Sequence, residues 1–534
     1  MRRRIFLTFL LPTLFAVNLF GQNPGDLELQ FKKFNALLYQ LDRNYVDTVN
    51  VSDIVEESIR QMLQELDPHS VYIPSEELQK MNEPLEGNFE GIGIQFNILK
   101  DTITVVSPIP GGPSERLGIR ASDRIIYIEE ENMAGIGVTN SMVVDRLRGK
   151  KGTVVNVSIL RKGEPELLDF AITRDKIPIY SVDASFMEDD KTGYIKINRF
   201  SATTGDEFRD ALGKLKKKGM ENLILDLQGN GGGYLRAAVE VADELIDENK
   251  LLVYTEGRSQ PRQDQNASIQ GEWESGKLIL LVDEGSASAS EIVAGAVQDW
   301  DRGMIIGRRT FGKGLVQKPF MLPDGSAVRL TVSRYYTPSG RCIQKPYEGE
   351  IEDYYRERFD RFNNGEMFSM DSIQFPDSLK YKTSKDRTVY GGGGIMPDVF
   401  VPFDTSESSG YFSQLVRKGI INSYSLEYVD NNRRKLLKQF DTVESFKKGY
   451  QVEQDVYDII IAHGEKAGIE FVQEEFDKSK NSMGIRFKAL VARTLYENDA
   501  FYFIINDMNE SYLKALEVLE NGTYGKMNLA EFKD

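Results

Sequence analysis

The chain has very little histidine or cysteine. Of its 534 residues, two are histidines, His69 and His463, and one is a cysteine, Cys342. A single thiol excludes an intramolecular disulfide, and its distance from the N-terminus excludes a lipid-modified N-terminal cysteine. So few imidazoles and thiols form no His/Cys/Asp cluster that points to a metal, and no cofactor is expected. Positive charge is also in deficit. Lys and Arg number 66 against 82 Asp and Glu, a formal net charge of -16, which disfavours a nucleic-acid partner. Past the N-terminus, no run is long and apolar enough to span a bilayer.

The N-terminus itself reads MRRR, IFLTFLLPTLFAVNLF, then GQNPGD. A basic stretch, an apolar stretch and small or polar residues after it describe a secretory signal. The apolar part is short for a spanning helix and carries Pro12. Cleavage is expected near Gly21, the alternative being an uncleaved segment that anchors the chain. Either way the protein is expected to be exported and to work in the periplasm.

Length alone allows roughly three or four domains. Behind the signal at 1–21, the segment 22–85 carries apolar residues at helical spacing. Residues 86–175 are compact and β-rich, with FEGIGIQFNI, TITVVSPI and VVNVSILR as strands and TNSMVVDRLRG as a helix. Over 176–404 strands and helices alternate: YIKINRF, a helix, LILDLQ, a helix, LLVYTEG, LILLV, a helix, MIIGRR. That alternation predicts an α/β core with a mostly parallel sheet. Charged residues 346–388 are expected to be a surface insertion, and 405–534 reads as an amphipathic helical region.

The stretch GRRTFGKGLVQ places Gly307, Gly312 and Lys313 in the register of a phosphate-binding P-loop. Position 314 is glycine where that loop needs Ser or Thr, and the residues beyond it read as strand, turn, strand rather than helix. Lys313 is therefore not read as a phosphate ligand. In LILLVDEGSASASEIV an apolar strand runs through a tight turn into a helix start, and Ser288 and Glu291 have capping-box spacing. By itself this fits a capped helix as well as a nucleophile presented to a helix dipole. The glycines of LILDLQGNGGG would let backbone N–H groups approach a ligand, although they also suit a plain βα turn. A serine nucleophile needs a base. His69 falls in an N-terminal turn and His463 in the C-terminal region, so a Ser-His-Asp triad is not expected. Lys313, after an apolar strand and beside Phe311, Leu315 and Val316, has the surroundings that lower a lysine toward neutrality.

Taken together these segments resemble the carboxyl-terminal processing (tail-specific) proteases, over roughly residues 35–404. LDPHSVYI, FEGIGIQF, LILDLQGNGGG, GSASASE, TFGKGLVQ, TPSGRCIQ and GGGGIMPDV match that family's motifs in order. Gln228 and Gly231 stand where the family has Arg and Pro. The resemblance implies a crotonase/ClpP-like protease core with an inserted PDZ domain. It implies Ser288 as nucleophile, Lys313 as general base and Gln317 as the residue that orients Lys313. The oxyanion hole would be the N–H groups of Ala289 and Gly232, with Gly231 as the alternative. Ser286 and Ser290 are expected to be structural. The PDZ domain would bind protein or peptide substrates by their apolar C-termini, through Gly91, Ile92, Gly93 and Ile94, with Val143 and Leu147 lining the groove or serving as core. The resemblance implies that the domain can also gate the site. Two readings compete: a catalytically silent PDZ scaffold, and a crotonase-like acyl-thioester enzyme. The intact set Ser288, Lys313 and Gln317 argues against the first, and the PDZ segment against the second. The helical C-terminal region is expected to serve homo-oligomer or accessory-protein contacts.

Overall fold

The computed structural model describes residues 24–526 except 269, 350 and 374. The expected signal segment lies outside the described residues. Residues up to Leu66 are one unit and Asp67 onward a second. The first contributes two helices, Pro24–Asn44 and Val51–Gln64, the latter capped by Asn50, whose side chain accepts the Ser52 N–H. No helix among the described residues is long and apolar enough to cross a membrane.

The second unit is organised by a six-stranded sheet in the order Val182–Met187, Thr192–Ile197, Asn222–Asp226, Lys277–Val282, Met304–Gly307, Val399–Phe400. Only its first pair is antiparallel. Its strands read as continuous apolar runs because both faces are covered. On one face lie helices Thr204–Lys217, Leu235–Asp243 and Ala289–Asp299, over Ile195, Leu225, Leu280 and Ile305. The other face packs Tyr194, Ile224, Ile279 and Met304 against Phe503, Tyr512, Val518 and Tyr524. The third layer thus comes from the C-terminal region, which completes the core as well as forming its own helical cluster around Tyr411, Phe446 and Phe487.

The alternation rule misplaces one strand. Leu251–Gly257 joins a separate antiparallel sheet with Gln260–Asn266, Ala327–Tyr336, Leu315–Met321 and the short Val71–Ile73. The hairpin partner QPRQDQN is polar because most of it is exposed, so it carries no apolar signal.

The β-rich segment runs from Asn88–Gly91 to Asp175–Pro178, with Ile94–Ile98 at the edge of its main sheet and helix Asn140–Leu147 capped by Thr139. Its core holds Ile92, Ile103, Val143, Val157 and Ile172.

Residues 346–388 are more than a surface insertion. Helix Ile351–Asn363 buries Tyr354 and Arg361. Arg361 donates to the carbonyls of Thr310 and Phe311 at 2.8 and 3.2 Å and to Glu357 at 2.7 Å. Its charges look like a solvated face in the sequence but are spent on the backbone ahead of Lys313. Breaking such a buried pair leaves its partners unsatisfied, so Arg361→Ala is expected to cost about 3 kcal/mol. Calorimetry would register this as a lower melting temperature. An unchanged melting temperature would mean that the helix merely rests on the surface.

Candidate active site

Three loops meet at the carboxyl ends of the parallel strands, where open α/β sheets place their ligands. The first follows Asn222–Asp226. Buried Asp226 accepts Lys196 Nζ at 2.9 Å and the Gln228 N–H at 2.8 Å, which fixes the start of the turn. Asn230, fully buried, donates through Nδ2 to Ile197 O and accepts the Gly232 N–H at 2.9 Å. The unusual Gln228 is held from outside the loop, since its Oε1 accepts from Asn509 Nδ2 at 2.7 Å.

The second loop is the turn into helix Ala289–Asp299. Ser286 and Ser290 are fully buried and donate to the carbonyls of Leu227 and Asn230, each at 2.8 Å. They are structural, as the sequence indicated. Ser288 between them is half-buried and sits at φ 55°, ψ −110°. A left-handed φ is costly for a side-chain-bearing residue and is kept only where the surroundings impose it. The Ala289 N–H, first of the helix, has no hydrogen-bond acceptor among the described residues.

The third loop carries Lys313 and is joined to the second by one side chain. Glu291 is wholly buried. Its Oε2 accepts the N–H of Ser288 at 2.8 Å and of Lys313 at 2.9 Å. Its Oε1 accepts the Gly312 N–H at 2.7 Å and the Thr310 hydroxyl at 2.5 Å. Burial pushes this carboxyl up, and the four donors pull against that shift. On the far side, the buried Tyr335 hydroxyl lies 3.0 Å from Ser288 O and 2.7 Å from Lys313 O. Ser288 and Lys313 thus share a partner at their N–H groups and another at their carbonyls. Lys313 Nζ makes no hydrogen bond or ion pair among the described residues, and burial, assisted by Arg329, lowers the lysine below its ordinary range.

Residues 191–354 match Peptidase family S41 and residues 91–172 a PDZ domain, while 411–497 match a family of unknown function. Carboxy-terminal processing protease CtpA of Bacillus subtilis is 35% identical over 63% of this chain and 73% of its own. The chain belongs to the carboxy-terminal processing proteases. It is a serine-type peptidase with a PDZ domain. CtpB of the same organism is 29% identical over 83% of this chain and 89% of its own. Among solved structures, a photosystem II D1 C-terminal processing protease is 27% identical over 69% of this chain and 92% of that one, with a TM-score of 0.36.

In this protease Ser288, Ala289, Gly232 and Lys313 converge, and several details differ from expectation. The Gly232 N–H is bonded to Asn230, while Gly231 is exposed with no acceptor among the described residues. Gln317 makes its hydrogen bond to Thr331 Oγ1, at 3.3 Å, rather than to Lys313. In the PDZ domain Ile92, Val143 and Leu147 are 2%, 0% and 5% exposed and belong to its core. Gly91 and Gly93 are buried, leaving half-buried Ile94, Phe96 and Met142 along the edge strand and helix.

His69 is not remote from the site. Chain folding brings Asp67 and His69 of the DPHS segment near Lys313. Burial and then the charge of Lys313 hold the His69 imidazole at about 4, so it is neutral at pH 7. Its Nε2 lies 2.8 Å from the Tyr354 hydroxyl. Gln344, 3.4 Å from that hydroxyl, accepts the Gly314 N–H at 2.8 Å. No local pattern announces this, because the contact joins residues hundreds of positions apart.

Glycine is required at position 232. At φ 99° a Cβ there would stand 2.8 Å from Ser288 Cβ and 3.0 Å from the Ala289 nitrogen. Gly232→Ala is therefore expected to lower kcat at least about 100-fold, the scale of losing an oxyanion donor. Steady-state kinetics with a quenched-fluorescence peptide reads this. Wild-type turnover would mean that the space beside the Ala289 N–H is not used.

Proposed function

We propose that this protease is an exported, periplasmic endopeptidase that cleaves proteins at or near apolar C-termini through a Ser288–Lys313 dyad on a crotonase/ClpP-like core. The observation that carries the reading is the shared anchoring of the two residues on Glu291 and Tyr335, with a lysine that burial disposes to be neutral. Neutral Lys313 takes the Ser288 Oγ proton as that oxygen attacks the scissile carbonyl, then delivers it to the leaving amine. The Ala289 N–H stabilises the oxyanion together with the Gly232 N–H, turned from Asn230, or with that of Gly231. Gln317 orients Lys313. The same lysine then takes a proton from a water molecule that attacks the acyl group, and returns it to Ser288 Oγ as the ester bond breaks.

The PDZ domain captures the free C-terminus of the substrate. Among the described residues the edge strand Ile94–Ile98 pairs on one side only, with Ile103–Pro108, which leaves its other side for an added strand. The names of the relatives, carboxy-terminal processing proteases, agree with action at C-termini.

Ser288→Ala and Lys313→Ala are each expected to abolish peptidase activity without loss of fold. A substrate with an amidated C-terminus is expected to be cleaved more slowly than its free-acid form. The acid limb of kcat/KM reports deprotonation of Lys313. Removing the neighbouring cation in Arg329→Gln favours the ammonium, raises the lysine and moves that limb to higher pH. A pH–rate series decides this: a shift to lower pH, or cleavage by Ser288→Ala, contradicts the dyad.

A further inference from the structure

Gln317 stands opposite Thr331 in the antiparallel pairing of Leu315–Met321 with Ala327–Tyr336. Thr331 Oγ1 lies 3.3 Å from Gln317 Nε2 and 3.1 Å from Asp67 Oδ1. Asp67 is 6% exposed. It already accepts the N–H groups of His69 and Ser70 at 2.8 and 2.9 Å and the Ser70 hydroxyl at 2.6 Å. Ser70 Oγ also accepts the Thr331 N–H at 3.1 Å, which holds the LDPHS loop to the same residue.

These contacts fix the direction of every proton in the chain. A carboxylate oxygen addressed by N–H donors is an acceptor, so the single Thr331 hydroxyl proton points at Asp67. Thr331 Oγ1 is then left only to accept, and Gln317 must turn its NH2 toward it. A reversed amide would oppose two oxygens with no proton between them. The free end of Gln317 is therefore its carbonyl, Oε1. A lysine amine held by Oε1 keeps its lone pair for the serine, and a lysine ammonium has donors only. The amide nitrogen could hold neither form in the required way.

We propose that Asp67 is a positioning residue of this protease, acting through Thr331 to present the carbonyl rather than the NH2 of Gln317 to Lys313. The inference rests on the Ser288–Lys313 reading above. Asp67 also acts on Lys313 by charge. It and Glu291 favour the ammonium, Arg329 opposes it, and the lysine's charge in turn helps to lower His69. The two effects of Asp67 separate by substitution. Thr331→Val removes the relay alone, whereas Asp67→Ala removes relay and charge.

The test measures kcat, KM, the pH profile and the melting temperature of the full chain. Thr331→Val is expected to lower kcat on the order of ten-fold, the scale of one hydrogen bond, with KM and the acid limb unchanged. Thr331→Ser, which keeps the hydroxyl, is expected to recover most of the loss. Asp67→Ala is expected to lower kcat as well and to move the acid limb to lower pH, because it also removes a charge that favours the ammonium. Wild-type kcat in Thr331→Val, or Thr331→Ser as impaired as Thr331→Val, overturns the proposal. Should Thr331→Val not fold, wild-type kcat in Asp67→Ala overturns it instead. Activity surviving in Ser288→Ala or Lys313→Ala overturns the dyad and this inference with it. Dead dyad variants beside a fully active Thr331→Val overturn this inference alone.

Discussion

Everything at the candidate site hangs on the buried carboxylate of Glu291. Four donors converge on it, from the serine turn and from the lysine loop. A carboxylate removed from water must have its lone pairs satisfied, so the two loops are held to it and thereby to each other. Tyr335 repeats the constraint at the carbonyls. Neither contact uses the Ser288 hydroxyl or the Lys313 amine. The backbones are fixed, and the two side-chain ends are left out of both contacts.

The rest of the fold supplies walls for this junction. The apolar sheet sets the three loops side by side, and Asn230 ties the glycine-rich turn to the serine turn through its own carbonyl, which accepts the Ala287 N–H at 2.9 Å. Helix Ile351–Asn363 braces the lysine loop through Arg361. The C-terminal chain closes the back of the sheet and steadies Gln228 through Asn509. The PDZ domain is joined to the preceding helix Ser75–Glu86 by the Arg148–Glu83 ion pair and to the helical C-terminal region by Lys162 on Asn431 at 2.8 Å.

Much of this is legible in the sequence, because the site is made of short motifs whose backbone geometry is local. The strand, tight turn and capped helix around Ser288 can be read from SASASE, and the strands after Lys313 from their alternation and prolines. Glu291 is visible there only as a helix cap. Its bonds to Gly312 and Lys313 span about twenty residues of sequence, and no periodicity encodes them. His69 and Asp67 lie outside the α/β core in sequence, yet the chain returns them to it. Residues 346–388 read as a surface insertion because charge usually faces water, and here Arg361 satisfies buried carbonyls. Val143 and Leu147 have the spacing of a groove wall and of a core alike, and only packing separates the two.

The most direct measurement is the rate at which a fluorophosphonate labels Ser288 in the wild type and in Glu291→Gln. The substitution keeps the shape but replaces one acceptor oxygen with an NH2 facing N–H donors. If Glu291 holds serine and lysine together, the variant stays folded by circular dichroism and labels at least about 100-fold more slowly, the scale of losing general-base assistance. Labelling of a folded Glu291→Gln variant at the wild-type rate would contradict the account.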